Sequence, residues 1–217
     1  METNKISKAL ITRVPRYLEH LKQVPQERGE YISSAAVADA LGLGHVLVRK
    51  DFAKISDGGH PKTGYPLRKL IVDMEAFLGY DSTMDAVLVG AGKLGSALLD
   101  YSGFREYGLN VVAGFDATQE NRKTETGKIV YPVEALDVYC RENGICMGIL
   151  TVPAGIAQTV CNRMVESGIQ AIWNFAPIHL DVPAGVHVHN ENLAASLTEL
   201  RMQLKFMESQ GDHYERI

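Results

Sequence analysis

No apolar run in this chain approaches the roughly 20 residues that a membrane-spanning helix needs. Its opening stretch, Met1 to Leu10, holds no signal-peptide apolar region followed by a small-residue cleavage site. A membrane anchor and an exported protein are therefore not expected, and a cytoplasmic one is. Cysteine is scarce, since Cys140, Cys146 and Cys161 form no C-x-x-C pair and have no histidine at metal-ligand spacing. That argues against a disulfide framework and leaves no expected metal site, so the thiols are read as small buried apolar groups. The chain also lacks internal repeats and low-complexity segments, which sets aside solenoids and extended linkers. Charge of one sign is not in large excess at -4 overall, but it is unevenly placed. Residues 1–80 carry 12 Lys/Arg against 9 Asp/Glu, and residues 81–217 carry 10 against 17, so the first part is +3 and the rest -7. Any nucleic-acid contact then belongs to the N-terminal part.

What is present is ordinary core material, 46% hydrophobic over 217 residues, enough for two small domains. The first third reads as short helices broken by turns. Ile6, Leu10 and Val14 recur at helical spacing, and Tyr17, Leu18 and Leu21 continue the apolar face. Pro15 is expected to kink that helix or to begin a second one. Ser33-Ser34 offers an N-cap to a short helix over 35–41, closed by Gly42 and Gly44. His45 to Ile55 follows, with Val46, Phe52 and Ile55 read as inward and Arg49, Lys50 and Lys54 as outward. This is a helix–turn–helix arrangement. The Gly- and Pro-dense stretch from Ser56 to Gly64 is a loop or wing, and Pro66 opens another amphipathic run to Gly79. Together these make an N-terminal winged-helix domain over 1–80.

From Met84 apolar, β-rich runs alternate with helical ones, the grammar of βαβ units and a parallel sheet. Strands are expected over 84–89, 109–116, 145–151, 170–174 and 186–189, with helices over 93–101, 132–143 and 154–167. A second, α/β domain thus spans 81–191. The tail from Asn192 is one helical pattern with Leu193, Leu197, Leu200, Leu204 and Met207 on one face. No strand follows it in the sequence, so another chain is its expected packing partner.

Gly90-Ala91-Gly92-Lys93-Leu94-Gly95 satisfies G-x-G-x-x-G, a pattern that is common by chance and gains weight from context. It follows an apolar strand and opens a helix, whose free N–H groups and positive dipole end suit a pyrophosphate. Asp116 closes the second strand 24 residues past Gly92, where a carboxylate accepts from a ribose 2′-OH and repels a 2′-phosphate. NAD(H) is favoured over NADP(H) in a Rossmann-like domain of this kind. A tight βα turn without ligand is the plainer alternative. Leu150-Thr151-Val152-Pro153 and Trp173-Asn174-Phe175-Ala176-Pro177 fall where later strand ends line the same crevice, with Asn174 placed to hydrogen-bond a carboxamide. Pro153 and Pro177 equally suit the simple ending of strands. A dehydrogenase needs a positioned acid/base and a substrate lobe. His179 is the only histidine near a crevice loop, His187 and His189 share one face of a strand, and no further lobe follows. No catalytic residue is assigned. In the N-terminal domain, Arg49, Lys50 and Lys54 lie on the second helix of the helix–turn–helix and Lys62 in the wing, where phosphates and base edges of double-stranded DNA would be met. Solvated charge is the ordinary alternative.

These pieces together resemble the Rex family of redox-sensing transcriptional repressors over nearly the whole chain. The resemblance is carried by Val48-Arg49-Lys50-Asp51 with Gly64-Tyr65, the glycine-rich run Val89 to Leu98, Phe115-Asp116, Leu150 to Pro153, Asn174 to Pro177 and Leu197-Thr198. It implies a homodimer that binds operator DNA through its winged helices, with Tyr65 among the DNA-binding residues. It implies NAD(H) as a regulatory ligand, with NADH releasing the repressor from DNA, and a domain-swapped C-terminal helix over 192–217. It further implies a switch in which Arg13 and Tyr101 engage an aspartate of the partner's C-terminal segment. Here Asn192 stands at that position, which keeps a hydrogen bond but gives up a charge-assisted pair, a difference of about 1–3 kcal/mol. Leu193 stands where the family has a nicotinamide-side aromatic, and Ser56 to Thr63 lacks the family's Phe-Gly-rich wing pattern. The rival readings are a small NAD-dependent oxidoreductase with a helical N-terminal appendage and a nucleotide- or CoA-binding domain of a ligase-like protein.

Overall fold

The structure is a computed structural model that describes residues 7–25, 30–118 and 120–211. The chain divides into two units, one running to Thr83 and taking in Glu106–Gly108, the other holding Met84–Arg105 and the chain from Leu109 on.

The first unit opens with α1 (Lys8–Gln23), whose N-cap Ser7 accepts the Leu10 backbone N–H on its hydroxyl at 3.2 Å. Pro15 lies inside this one helix and does not begin a second. The proline costs about 3 kcal/mol in a helix interior. Burial of Leu10, Val14, Tyr17, Leu18 and Leu21, each contributing about 1.5–3 kcal/mol, outweighs it. Ile6, the first position of the expected stripe, lies outside the described residues. Ser33 caps α2 (Ser34–Leu41) through the Ala36 N–H at 3.0 Å, and Gly42 closes it in the left-handed region. Then come α3 (His45–Ile55) and α4 (Leu67–Leu78). Two strands that the sequence reading did not anticipate, β1 (Tyr31–Ile32) and β2 (Tyr65–Pro66), pair antiparallel beside them. At two residues each they are too short to show alternation. Between α3 and β2, the His60 N–H donates to the Gly64 carbonyl at 2.8 Å and Gly64 returns a bond at 3.0 Å, so this loop is a tight wing. Phe52 anchors the core, edge-on to Tyr17 at 5.4 Å and to Tyr65 at 5.5 Å.

The second unit is a sheet of β3 (Met84–Val89), β4 (Leu109–Asp116), β5 (Arg122–Lys123), β6 (Ile129–Pro132), β7 (Met147–Leu150), β8 (Ala171–Asn174) and β9 (His187–Asn190). Their spatial order is β5-β6-β4-β3-β7-β8-β9, and every pair is parallel except β5 with β6. From β6 to β9 this is the doubly wound order of a Rossmann domain, with β3 at the reversal. The β5–β6 hairpin was not expected from the sequence, because β5 is polar, exposed and only two residues long. Helices α5 (Lys93–Asp100), α6 (Leu136–Asn143) and α7 (Ala154–Glu166) connect the strands. Val87 and Val89 face one core layer and Leu88 the other, so β3 is apolar without alternation, as a strand covered on both faces must be. The last described element is α8 (Leu193–Gly211).

Candidate nucleotide site and nucleic-acid interface

Ligands of an open parallel sheet bind outside the carboxyl ends of the strands where the order reverses. At that point the Gly90 N–H still donates to the Phe115 carbonyl at 2.8 Å, and the chain then turns into α5. Gly90 has φ 102°, and a Cβ there would stand 2.7 Å from Val152 Cγ1. Gly95 is tighter, since its Cβ would lie 2.0 Å from the Gly90 carbonyl oxygen. Thr151 braces the same oxygen, donating from Oγ1 at 2.7 Å. Gly92 is different, with nothing within 4 Å of where a Cβ would be and no side chain capping α5. The exposed first turn at Gly92, Lys93 and Leu94 therefore offers unsatisfied N–H groups and open room, the needs of a pyrophosphate. The Ala91 side chain points into the core and leaves only its backbone for a ligand. Val152 is almost fully buried, and exposed Pro153 starts α7.

Asp116 ends β4, accepting the Ala117 N–H at 2.7 Å, and its Oδ2 lies 3.4 Å from Arg122 Nη2. That same guanidinium donates to the Ala91 carbonyl, so Arg122 reaches from the Asp116 carboxylate to the glycine loop. Sequence reasoning missed Arg122, because an arginine on a polar stretch signals nothing until the hairpin folds it back. A cavity of about 470 Å³ lined by Ala117, Thr118, Pro132 and Glu134 opens beside Asp116.

Asn174 corrects an expectation. It is fully buried, its Nδ2 donates to Asn190 Oδ1 at 2.8 Å and to the Ala176 and Ile178 carbonyls, and its Oδ1 accepts the Ala176 N–H at 2.9 Å. With both ends of the amide engaged inside the protein, it shapes the loop and is not placed to hold a carboxamide. Phe175 is partly buried, and its ring belongs to a row: Phe175 to Trp173 at 4.8 Å, Trp173 to Phe104 at 5.6 Å, and Phe104 to Tyr101 at 4.9 Å. Tyr101 stands exposed at the far end. His179, His187 and His189 are all exposed. Burial pushes the Cys140 thiol up to about 11, with Asp137 adding to the shift, and burial raises Cys161 as well. Among the described residues no three His, Cys, Asp or Glu side chains gather as metal ligands would.

In the first unit, Val46, Arg49, Lys50, Ala53 and Lys54 form the exposed face of α3, spaced as neighbours on consecutive turns. Val48, Asp51 and Phe52 form its buried face. Val46, expected inward, is 56% exposed. Phe52, fixed between two aromatic rings, sets the helix phase, and the position one turn before it is Val48. The buried Asp51 accepts Arg13 Nε on Oδ2 at 2.8 Å, Arg13 Nη2 on Oδ1 at 3.0 Å, and the Tyr17 hydroxyl at 2.9 Å. Hydrogen bonding to Asp51 holds Arg13 above its ordinary value, and burial, then the bond to Asp51, raises Tyr17. This network ties α3 to α1, so Arg13, expected in the switch, has its carboxylate within its own unit. Tyr65 also departs from expectation. It is a core residue packed on Phe52, and its hydroxyl end fills the space beside Gly59. It supports the wing from beneath and presents no face to DNA. Lys62 is exposed in the wing, at φ 69°.

Asn192 stands before α8, and its Oδ1 accepts the Ala195 N–H at 2.9 Å, an N-cap that asparagine fills as well as aspartate. Leu193, Leu197, Leu200, Leu204 and Met207 along α8 are all more than half exposed.

Known proteins fit both units. Residues 81–178 match the family model of a CoA binding domain, and residues 5–53 match that of a putative DNA-binding protein N-terminus. The redox-sensing transcriptional repressor Rex of Treponema denticola is 37% identical over 89% of this chain and 93% of its own length. The Rex of Carboxydothermus hydrogenoformans is 37% identical over 94% and 99%. Among solved structures, RSP in complex with β-NAD+ and operator DNA superposes with a TM-score of 0.86 at 31% identity, covering 99% of each chain. RSP in complex with β-NADH gives 0.84 at 31% identity, covering 97% of this chain and 99% of that one. With curated relatives matched along nearly their whole length and both units matched in order, this chain belongs to the Rex family of redox-sensing transcriptional repressors.

Proposed function

We propose that the protein is a homodimeric repressor that binds operator DNA and responds to the NADH/NAD+ ratio, with NADH releasing it. The observation that carries this reading is the joining, on one chain, of an outward basic α3 to an open glycine-rich turn at the reversal of a doubly wound sheet. The RSP structures with NAD+ and operator DNA, and with NADH, support it across the same length of chain. The chain up to 80 supplies the DNA module, 81–191 the nucleotide domain and α8 the exchanged helix, residues 212–217 of the expected 192–217 segment lying outside the described residues. Arg49, Lys50, Lys54 and Lys62 meet DNA. Gly90, Gly92, Lys93, Leu94 and Gly95 hold the pyrophosphate, and Asp116 takes the adenosine ribose. Thr151, Val152, Pro153 and Phe175 line the nicotinamide side. The exposed apolar stripe of α8 fits a second copy of the chain.

The dinucleotide acts here as a ligand and not as a reactant. The curated relatives are named as repressors, which supports this reading. Differential affinity of NADH and NAD+ for the DNA-competent and closed dimers does the regulating, and only that difference shifts the population. The test is a mobility-shift titration of an operator duplex with NADH and then NAD+. Release by NADH at concentrations where NAD+ leaves the complex intact is the expected result. DNA affinity unchanged at saturating NADH would remove the sensing role and leave DNA binding standing.

A further inference from the structure

The outward face of α3 is not uniformly charged. Its first turn presents Val46, 56% exposed, and beside it Leu47, 37% exposed, ahead of the cations Arg49 and Lys50. Val48 and Phe52 hold the helix to the core, so Val46 contributes nothing to that packing, and a β-branched residue is a mediocre helix former. Its side chain faces outward on the same stripe as Arg49, Lys50 and Lys54. A polyanion drawn to those cations is therefore brought against Val46 as well.

Recognition helices place their N-terminal residues against base edges in the major groove. There the bases display hydrogen-bond donors and acceptors, and thymine adds one apolar feature, its 5-methyl group, which small apolar side chains contact. We propose that Val46, flanked by Leu47, reads thymine methyl groups in the operator. On this reading α3 is a composite reader, with Arg49 suited to a guanine edge, Lys50 and Lys54 to phosphates, and Val46 selecting T·A pairs. The inference rests on the DNA-binding function proposed above. The cations that follow Val46 along the exposed face of α3, Arg49, Lys50 and Lys54, favour nucleic acid over an apolar protein surface as its occupant, and His45 before it is paired with Asp39.

The test uses the full chain. A preferred duplex of about three helical turns is selected from a random-sequence library, each thymine is replaced singly by deoxyuridine, and affinities are measured at one fixed salt concentration. At one or two thymines per half-site, loss of the methyl is expected to weaken binding about three- to fivefold, the transfer value of one buried methyl group. Val46→Ala weakens the unmodified duplex by a similar factor and becomes indifferent to those uracils, while Val46→Ile keeps its sensitivity to them. The salt dependence stays as in the wild type, since no phosphate contact is lost. A wild-type protein indifferent to every uracil, or a Val46→Ala variant with an unchanged uracil profile, overturns the proposal. A library that yields no enriched duplex defeats the DNA-binding reading itself, and the inference falls with it.

Discussion

The two units build their recognition surfaces from opposite materials. In the first, the exposed groups are side chains, with Arg49, Lys50 and Lys54 projecting from α3 while Asp51, on the opposite face, is clamped by Arg13 and Tyr17. In the second, the site is made by side chains that are missing. Gly90 and Gly95 have no room for a Cβ, and Gly92 has room that nothing in the protein fills. A surface made of side chains is broken by changing charge or hydrogen bonding. A cradle made of backbone is broken by adding volume.

Gly95→Ala is the hardest test of that contrast. A Cβ 2.0 Å from the Gly90 oxygen forces helix and loop apart, and NADH affinity is expected to fall by more than about a hundredfold with a clear drop in melting temperature. Gly92→Ala, with open space around it, is expected to leave melting unchanged and weaken NADH alone. A fluorescence titration beside a thermal scan separates the two. If Gly95→Ala binds NADH normally, the cradle is not backbone-built.

Asp51→Ala comes next. It leaves Arg13 and Tyr17 without their acceptor, and about 2–4 kcal/mol of stability should disappear in urea unfolding, less than for a fully buried pair because Arg13 is partly exposed. Asp51→Asn should retain a part of it. Operator affinity should fall with the ordering of α3, and a stable Asp51→Ala variant would show that the clamp is ornamental. Asn174→Ala is expected to cost about 1–3 kcal/mol, since it strips partners from Asn190 and the Ala176 N–H.

Surface changes on α3 should behave in the opposite sense. Arg49→Ala and Lys50→Ala are expected to leave unfolding within about 0.5 kcal/mol of wild type. Each should weaken operator binding by about tenfold, Lys50→Ala with the salt slope lowered by about one and Arg49→Ala with relaxed selectivity at one base pair and the salt slope little changed. Equal losses of stability and affinity would place these residues in the fold. The smallest effect concerns pH. Cys140 keeps its proton in the folded chain up to about 11, against an ordinary thiol value near 9. Its contribution to stability is therefore full below pH 9 and lost as pH rises toward 11, because the unfolded chain releases that proton first. Melting temperatures across this range should decline, and Cys140→Ala should flatten part of the decline.

Much of the second unit was legible because its signals are local and repeated. The apolar runs of β3 and β4, the glycine spacing and the carboxylate at Asp116 each follow from neighbours in sequence. The β5–β6 hairpin was not, and with it Arg122 was missed, since its meaning comes from the carbonyl of Ala91, 31 residues away. Asn174 was placed in the right loop and given the wrong task, because strand ends are readable from sequence while the number of internal partners an amide finds is not. Val46 was misassigned for a related reason, since helical spacing shows which residues share a face but leaves open which face is turned inward when both carry apolar groups. Tyr65 was given its DNA role by the resemblance alone, and the packing against Phe52 that buries it joins residues 13 apart in the chain.

Composition, periodicity and the order of motifs were enough to establish two units, a doubly wound sheet and a glycine-rich turn, because these depend on short-range sterics and on burying apolar stripes. Tertiary structure decided the rest. It assigned Arg13 to Asp51, spent the Asn174 amide inside the fold, buried Tyr65, folded Arg122 between Asp116 and the Ala91 carbonyl and turned Val46 outward. Each of these depends on contacts between residues far apart in the chain, and such contacts exist only once the core has fixed the phase of every helix and the register of every strand.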